Sequence, residues 1–539
     1  MQTVSNDWKK IHRRSLLNES FVEVSLNIAD PDAIADATPQ DNGAIYISTT
    51  PQLTSGAEIT PMPYCTLEQN IWCLDGNRKA LPDSDYGING YSSDVLSDDT
   101  CVFSDKLPII KVTFRTTHSQ LIPGVTIVWS SAYNEFPDTF EVIAYRNAYV
   151  VGSKEVTGNR SVKSLIEVDI ANYNRIEIIV KKWCLPNHRA RVEQVLIGLN
   201  KVYGRSELFD YSHLQSVDPA STSLPKFEIK FSVDNVEGKY NPYNSKGLAK
   251  YLMERQEVKA KYGLKMDDGS IEWINAGTFY LSEWHAPQNG ITADFTARDL
   301  LEFMSDIYNE WHDYTERTLK ELAELVLTAA NLPLTSSGEV RWVIDDSLSS
   351  ITTTAPLPQD TLANCLQLIA NAGRCVIYQD RSGILHIEPL KGNEASILNV
   401  TDYNIDSFNS YSNSEITLSK PLKQVKVAVY SYTIDEITST EISYPANVSS
   451  STQGETIVID NPLVTSTTVA SALGQWLYTH LGHRKTIDSK WRADVRLDPL
   501  DIVRNENEYN SSRVRMTDVE FKYNGAFKAT GKGKVIGNG

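Results

Sequence analysis

Pairs of carboxylates are the first candidates for chemistry in this 539-residue chain. Hydrolysis of a glycosidic bond needs two carboxyl groups that flank the bond, one as the acid and one as the base or nucleophile. Three pairs are close enough in sequence to be considered: Glu135 with Asp138, Glu310 with Asp313, and Asp345 with Asp346. Carboxylates this close in sequence are also typical of a solvated loop, and we interpret the three pairs in that way.

Other catalytic patterns are missing from the sequence. It has no GxSxG, HExxH, GxxxxGK[ST] or HxE…CxxC motif. His285 and His312 each follow a tryptophan, which favours packed or surface histidines over bases. The GxG at Gly531 and Gly533 lies too late in the chain for a phosphate loop, and indicates crowded strands or a bulge. We therefore predict that the protein is not an enzyme and has neither a cofactor nor a metal.

The cysteines do not suggest a metal site or a disulfide framework. No two of the six form a CxxC pair, and no histidine stands at zinc-ligand spacing from them. In a protein made in the cytoplasm we expect small buried apolar residues instead. The six are Cys65, Cys73, Cys101, Cys184, Cys365 and Cys375.

Charge and hydropathy exclude two classes of function. The formal net charge is −17 and there is no long basic tract, so specific duplex binding through phosphate neutralisation is not expected. The acidity suits either plain solubility or the lining of a conduit that must not hold DNA. No apolar run approaches the roughly 18 to 20 residues that cross a bilayer. The first twenty residues lack the apolar core of a secretion signal, so we expect assembly in the cytoplasm.

A β-sandwich is predicted between residues 101 and 205. Seven stretches of strand-forming residues alternate there with turn residues, which is typical of a sandwich. They are Ile109–Arg115, Val125–Ser130, Thr139–Tyr145, Tyr149–Val156, Ser164–Asp169, Arg175–Trp183 and Ala190–Leu199. The strand candidate Phe21–Ile28 has the character to pair with the barrel that starts at Lys226, so the sandwich is predicted to be an insertion.

Three phrases in this sandwich, VTIVWSS, FEVIAYRNAYVV and IEIIVKKW, resemble the galactose-binding, discoidin-like jelly rolls. That resemblance implies a ligand site in the loops at one end. The residues it points to for glycan binding are Asn134, Glu135, Asp138, Trp183, Asn187, His188 and Arg189. The alternative is that the module only contacts a neighbouring subunit.

The stretch from Leu224 to Met304 predicts a small antiparallel barrel or sandwich. Phe227, Ile229, Phe231 and Val233 alternate on one face, and Asp268-Gly269 and Asn289-Gly290 supply hairpin turns. The phrases GTFYLSEW, APQNGITADFTARDLLEF and DNVEGKYNP in this stretch resemble the hub-forming tail proteins of phages and prophages of Gram-positive bacteria. Asn524-Gly525 supplies a further tight turn near the C-terminus, and a DPLDIV corner there resembles the last barrel of the same family.

The tail-protein resemblance implies a virion structural protein of the tail tip or baseplate hub. Such a hub is a homotrimer that joins the tail tube and the distal tail protein ring to a tip spike or to receptor-binding fibre proteins. Its lumen lets the tape measure protein and DNA leave. Relatives that digest cell wall carry a further hydrolase domain after the second barrel, and we do not transfer that activity. The alternative function is a carbohydrate-binding protein or a cell-wall glycan hydrolase that holds sugar in the jelly roll.

The predicted fold class is mainly β with an α+β part. Two hub-type β-barrels are linked by a mixed α/β domain that begins with a capping box at Thr318–Glu321 and has a second helix with Asp360 as its N-cap. The predicted domains are 1–100, an N-terminal strand and extended arm; 101–205, the inserted jelly roll; 206–310, the first hub barrel; 311–413, a helix–helix–hairpin mixed domain; and 414–539, the second hub barrel.

Overall fold

The computed structural model describes residues 2–14, 17–41, 44–47, 53–54, 64–65, 79–80, 90–287, 290–309, 314–335, 339–390, 414–433, 436–491, 493–506 and 511–538. Strands dominate, which confirms the mainly β class. The helices are α1 (Asn6–His12), α2 (Pro31–Asp36), α3 (Leu319–Ala329), α4 (Leu362–Ala372) and α5 (Thr467–Leu481). Within the described ranges, no helix combines the length and apolarity that a membrane crossing requires.

The strands follow in chain order. Up to residue 197 they are β1 (Ser20–Ile28), β2 (Thr38–Asp41), β3 (Ala44–Ile47), β4 (Tyr64–Cys65), β5 (Lys79–Ala80), β6 (Tyr91–Leu96), β7 (Ile109–His118), β8 (Ile122–Val128), β9 (Pro137–Arg146), β10 (Tyr149–Thr157), β11 (Lys163–Ile170), β12 (Tyr173–Trp183), β13 (Arg189–Val192) and β14 (Gln194–Ile197). Up to residue 389 they are β15 (Leu199–Tyr203), β16 (Leu208–Ser216), β17 (Lys226–Asp234), β18 (Glu257–Lys265), β19 (Ile271–His285), β20 (Thr292–Arg298), β21 (Arg317–Thr318), β22 (Trp342–Ile344), β23 (Thr352–Thr353), β24 (Cys375–Gln379) and β25 (Leu385–Pro389). The last are β26 (Glu415–Leu418), β27 (Leu422–Tyr432), β28 (Ile437–Tyr444), β29 (Glu455–Ile459), β30 (Lys485–Trp491), β31 (Ile502–Glu506), β32 (Ser511–Tyr523) and β33 (Phe527–Asn538).

One sheet of twelve strands, the large sheet, runs through both predicted barrels. Its order is β15-β1-β18-β19-β20-β17-β16-β32-β33-β30-β26, with β31 paired to β32. The first and seventh strands of this path, β15 and β16, are consecutive in sequence and joined by only residues 204–207. A link this short requires the sheet to curl back on itself. Pairing does not close the curl among the described residues, which differs from the closed barrels predicted from the sequence.

The alternation of apolar residues gives the curled sheet one buried face. Along β1 every second residue is buried, from Ser20 to Ile28. The predicted face of β17 is also correct, because Phe227, Ile229, Phe231 and Val233 are all buried. These side chains share one core with residues of β32 and β33. Each such side chain contributes about 1.5 to 3 kcal/mol when it leaves water.

β1 connects the N-terminal segment to this sheet. It pairs with β18 through Ser20 to Leu26 and with β15 through Val24 to Ile28. Residues 29–198 therefore lie between two neighbouring strands of the large sheet. β1 thus pairs with the segment that begins at Lys226, as predicted for Phe21–Ile28, and its partner there is β18.

Residues 101–205 form a β-sandwich, but the sandwich recruits residues from outside this range. Its sheets are β10-β9-β12-β7-β2, β11-β8-β14 and β13-β6-β3, and they enclose a core that includes Trp129, Phe140 and Trp183. α2, β2 and β6 belong to the segment predicted as an extended arm, and they pack on this core instead. Six of the seven predicted strands form. The seventh, Ala190–Leu199, is divided among β13, β14 and the start of β15.

The segment 414–539 is divided between two cores, which differs from a single second barrel. β26 and β30 to β33 belong to the large sheet. β27, β28 and β29 form a separate sheet that packs on α5 and on the mixed domain of α3 and α4. Val425 and Val427 of β27 and Leu473 and Leu477 of α5 are all fully buried in this second core.

Local signals in the mixed domain are mostly confirmed. Thr318 Oγ1 accepts from the Glu321 amide at 3.1 Å, and the Glu321 carboxylate accepts from the Thr318 amide at 2.8 Å. The N-cap of α4 is Thr361, not Asp360, because Thr361 Oγ1 accepts from the Asn364 amide while Asp360 binds the Asn364 side chain.

Two predicted turns also form. Gly269 (φ +87°) connects β18 to β19, and Gly525 (φ +77°) connects β32 to β33. Tight hairpin turns require a residue with positive φ, which glycine adopts readily. The predicted Asn289-Gly290 turn lies partly outside the described residues.

Candidate functional site

The loops at one end of the sandwich contain a buried polar group, the Glu135 cluster, made of Glu135, Trp183, His188 and Arg191. The Glu135 carboxylate accepts from Trp183 Nε1 at 2.9 Å and lies 3.1 Å from His188 Nδ1. It also accepts from Arg191 Nη1 at 3.3 Å. All four side chains are buried, so the Glu135 carboxylate is satisfied by these protein groups instead of by solvent.

A tight turn positions Glu135. Residues 130 and 135 exchange backbone hydrogen bonds, and Asn134 adopts φ +54°, which asparagine tolerates better than most residues. Glu193 holds the turn from the other side, since its carboxylate accepts from the Ser131 amide at 2.6 Å and from Ser131 Oγ at 2.7 Å. Burial raises the pKa of Glu193, and the bonds from Ser131 and Ala132 oppose that shift.

The structure brings all seven predicted glycan-binding residues to this end of the sandwich. Three of them, Glu135, Trp183 and His188, are committed to the Glu135 cluster. The Trp183 ring has no exposed surface, so it offers no stacking platform to a sugar.

The other four predicted residues are at least partly exposed. Asn187 Nδ2 donates to Asp99 at 3.0 Å, and Arg189 Nη1 donates to the Ser93 carbonyl at 3.0 Å. Asp138 lies 3.5 Å from Arg160 and 3.6 Å from Lys182, and Asn134 is exposed. Glycan binding by these residues stays a prediction.

The remaining carboxylate candidates have structural contacts where they are described. Asp345 accepts from the Ser347 amide at 2.9 Å and so caps the short 3-10 helix Asp346–Ser350. Asp346 forms an exposed ion pair with Lys320 at 2.6 Å. Glu310, Asp313 and His312 lie outside the described residues. His285 is exposed, and the described residues contain no group of three or more histidine, cysteine and carboxylate side chains that could hold a metal.

Two cysteines behave as the composition predicts. Cys365 and Cys375 are fully buried as free thiols. Burial raises the pKa of Cys365 to about 11 and that of Cys375 to about 12, so both thiols stay protonated and unreactive at neutral pH. Cys101 and Cys184 are half-buried.

A second buried polar group, the Arg381 junction, lies where distant parts of the chain meet. Arg381 projects from the turn between β24 and β25. Its guanidinium donates to Asp498 Oδ1 at 2.7 Å, to the Leu497 carbonyl at 3.0 Å and to the Asn275 carbonyl at 3.1 Å. Gln2 Nε2 completes the junction by donating to Asp498 Oδ2 at 2.8 Å.

The turn that carries Arg381 is locally specified. The Gly383 amide donates to the Asp380 carbonyl at 3.0 Å, and the Ile384 amide donates to Asp380 Oδ1 at 3.0 Å. Gly383 has φ +78°, a conformation that side chains rarely adopt. The Asn275 amide group donates back to the Arg381 carbonyl at 2.7 Å, so the turn is fixed to β19 in both directions.

The junction borders a cavity of about 80 Å³. His213 and Gln215 of β16 line it, and both are buried. His213 Nδ1 lies 2.6 Å from Tyr262 Oη. Burial, and then the positive charge of Arg381, hold the pKa of His213 well below its usual value, so the ring is neutral at neutral pH.

A third contact holds the N-terminus against the connection between β30 and β31. His12 Nε2 lies 2.9 Å from the Ala493 carbonyl, and Arg496 forms two short hydrogen bonds to the Asp494 carboxylate. Burial alone would raise the pKa of Asp494, yet the neighbouring His12 and Arg496 lower it to about 2. Trp8 and Ile11 of α1 add apolar burial beside this contact.

The chain is similar in structure to several known proteins, although sequence comparisons find no match. No protein-family model and no curated protein matches the chain. Among solved structures it resembles the 43 kDa tail protein of prophage MuSo2 from Shewanella oneidensis, with 13% identity, a TM-score of 0.41, and coverage of 62% of this chain and 95% of that one. It also resembles the tail protein from Neisseria meningitidis MC58, with 10% identity, a TM-score of 0.40, and coverage of 62% and 93%.

A third likeness is to prophage tail protein gp18 from Listeria monocytogenes EGD-e, with 10% identity, a TM-score of 0.37, and coverage of 62% and 91%. These three solved structures are tail proteins, and phrases in the sequence also resemble tail proteins. Their TM-scores lie below 0.5, so the proposals below rest on the residues and contacts of this chain.

Sequence reasoning missed Arg191 and the Arg381 junction. Arg191 stands two residues after Arg189 in β13, and the period of two along a strand could have placed both on one face. No local signal indicates the junction, because Asp498 lies 117 residues from Arg381 and an arginine in a turn is usually solvated.

Proposed function

We propose that the protein is a structural hub of a phage or prophage tail tip. β16 carries the proposal, because it is hydrogen-bonded to β17 on one side and to β32 on the other. The strands of the segment 206–310 and the strands β30 to β33 therefore form one continuous wall. A wall of this kind suits a part that transmits load between the tail and its tip.

The buried contacts support the same proposal. The Arg381 junction ties the mixed domain to β19 and to the C-terminal strands, and Gln2 ties the N-terminus to the same carboxylate. Removal of one partner from a buried charge pair costs about 3 to 5 kcal/mol, so these ties hold the segments in a fixed arrangement. The phrases in residues 224–304 that resemble phage hubs belong to β17, β19 and β20 of this wall and to the loops beside them.

In this proposal three copies assemble around a channel. The trimer joins the tail tube and distal tail protein ring to a tip spike or receptor-binding fibre proteins, and tape measure protein and DNA leave through its lumen. The net charge of −17 repels DNA phosphates, so the channel does not hold what passes. The protein acts at the virion tail tip, after assembly in the host cytoplasm, and performs no bond chemistry.

Light scattering coupled to size-exclusion chromatography tests the proposal. We expect a trimer, alone or with purified tail partners, and electron microscopy of isolated tails should place the chain at the distal end. A chain that stays monomeric and is absent from virion tails would overturn the proposal. A muralytic zymogram should be blank, and a cleared band would favour the glycan hydrolase instead.

The sandwich supports a second candidate function, glycan binding. What favours it is the gathering of Asn134, Asn187 and Arg189 at one end, where the Arg191 guanidinium also lies 4.3 Å from the centre of the Tyr133 ring. A glycan array with the full chain tests it, with the triple variant Asn134→Ala, Asn187→Ala, Arg189→Ala beside a control, Arg146→Ala, in the hairpin between β9 and β10. Binding should disappear in the triple variant alone. No binding at millimolar sugar would contradict it.

A further inference from the structure

A cleft of about 320 Å³ opens between the loop at residues 216–223, the end of α5 and the strands β32 and β33. Basic side chains line it from these elements, and we name it the basic cleft. They are His480, His483, Arg515, Lys532 and Lys534. Such a concentration is notable on a chain whose formal net charge is −17.

The two carboxylates in the lining are occupied by neutral donors. Asp218 accepts from the Ala220 amide at 2.9 Å and from the Thr222 amide at 2.8 Å. Asp518 accepts from Ser216 Oγ at 2.6 Å and from Thr517 Oγ1 at 2.7 Å. Among the described residues neither carboxylate forms an ion pair with a lysine or arginine, although Asp518 stands opposite Lys532 in the β32–β33 ladder.

The cations lie close together in a partly desolvated space. Burial, and then Lys532, lower the pKa of Lys534, and the charge of Asp218 opposes this shift. Burial, and then Arg515 and His483, lower the pKa of His480 to about 4. The lining contains three permanent cations, Arg515, Lys532 and Lys534, and two carboxylates, so the cations outnumber the anions.

We propose that the basic cleft binds a ligand that carries two or more carboxylate or phosphate groups. Its volume is that of a small-ligand site. An anion there would accept charge-assisted hydrogen bonds from Lys532 and Lys534 and would relieve the repulsion among the cations. This inference does not depend on the proposed tail-tip role. The ligand is either a free small anion or an acidic segment of another protein chain, and both bring the same chemistry.

Isothermal titration calorimetry of the full chain at low ionic strength tests the proposal, with citrate, inorganic phosphate and a hexaglutamate peptide as separate probes. We expect saturable binding of at least one probe. Preference for citrate or phosphate indicates a free anion, and preference for the peptide indicates a protein segment. The variant Lys532→Ala, Lys534→Ala should weaken binding at least tenfold.

The control variant is Lys522→Ala, Lys528→Ala, which removes the same charge from β32 and β33 outside the cleft. It should bind as the native chain does. Histidine NMR gives a second readout, because the ring signals of His480 and His483 should move on addition of the bound probe. Absence of saturable binding by all three probes, or equal loss in both double variants, would overturn the proposal.

Discussion

The sandwich and the large sheet differ in the sequence separation of the residues whose contacts stabilise them. The sandwich pairs strands that are mostly close in sequence, such as β9 with β10 and β8 with β11. The large sheet depends on contacts between the two ends of the chain, such as the Tyr523 hydroxyl that donates to the Ser20 carbonyl at 2.9 Å, 503 residues away. Each region also has its own buried charge group, the Glu135 cluster in one and the Arg381 junction in the other.

The difference shows what each charge group does. The Glu135 cluster fixes loops inside one module, so its loss should loosen that module alone. The Arg381 junction connects the N-terminus, β19, the mixed domain and the C-terminal strands, so its loss should loosen the connections among segments. Variants of the two groups can therefore separate local from long-range stability.

Arg381→Met should have the largest effect. It leaves Asp498 without its buried cation and leaves the carbonyls of Leu497 and Asn275 without a donor, at a cost of about 3 to 5 kcal/mol. Hydrogen–deuterium exchange should rise in β19, β24 and the residues around Asp498, while the sandwich core keeps its protection. The exposed Arg146→Met serves as the control, and its exchange should match the native chain. Faster exchange confined to the β24–β25 turn would contradict the role given to the junction.

Glu135→Gln should have the second largest effect on stability, and the effect should be confined to the sandwich. The amide cannot accept from Trp183, His188 and Arg191 together, and Arg191 loses its buried counter-charge, at a cost of about 2 to 4 kcal/mol. Two measurements check this: the midpoint of thermal unfolding, and hydrogen–deuterium exchange of the folded protein in β8, β12 and β13. Glu155→Gln removes an exposed partner of Lys181 and should cost less than about 1 kcal/mol. Equal losses in both variants would show that the Glu135 cluster adds no stability.

Gly533→Ala should destabilise the C-terminal strands by about 1 to 3 kcal/mol. A Cβ there would lie 2.6 Å from the Arg515 carbonyl oxygen, and at Gly531 it would lie 2.3 Å from the Trp491 ring. The predicted strand crowding at this GxG is thus confirmed. A Cβ at Gly537 would contact nothing nearby, so Gly537→Ala is the matched control in β33. Chemical denaturation measures both, and equal midpoints would contradict the steric argument.

The range of contacts also explains which predictions from the sequence succeeded. The capping box at Thr318 and the turn at Gly525 depend on neighbours in the chain, and both form as predicted. The sandwich strands follow from alternation within about 100 residues.

The division of 414–539 between two cores was not predictable in the same way. It depends on the pairing of β32 with β16 and on the packing of α5 against the mixed domain. No local sequence pattern indicates either partner. The candidate site has the same limit. Arg189 and His188 could be selected from their loops, but Arg381 and Asp498 become partners only in the folded chain.

Acid should weaken the large sheet through His213, and this is the smallest effect that we predict. The folded pKa of His213 is depressed, whereas the unfolded ring takes a proton below about pH 6.5. At His213 the unfolded state therefore binds more protons, and the contribution of this ring to stability falls as the pH drops from 7 toward 5. His480 contributes in the same direction. Asp299 contributes in the opposite direction, because burial raises its folded pKa to about 7. Asp494 loses its contribution only below about pH 4, because its folded pKa is about 2.

His213→Phe removes the proton-binding group and keeps a ring among Tyr262, Phe279 and Phe521. Denaturation at pH 7, 6 and 5 measures the stability of both chains. Between pH 7 and 5 the variant should lose less stability, or gain more, than the native chain. Its absolute stability at pH 7 is not the test, since Tyr262 also loses a hydrogen-bond partner. The exposed His285→Gln should leave the slope unchanged. An unaltered slope in His213→Phe would assign the acid sensitivity to other groups, with His480 and His483 at the basic cleft as the next to replace.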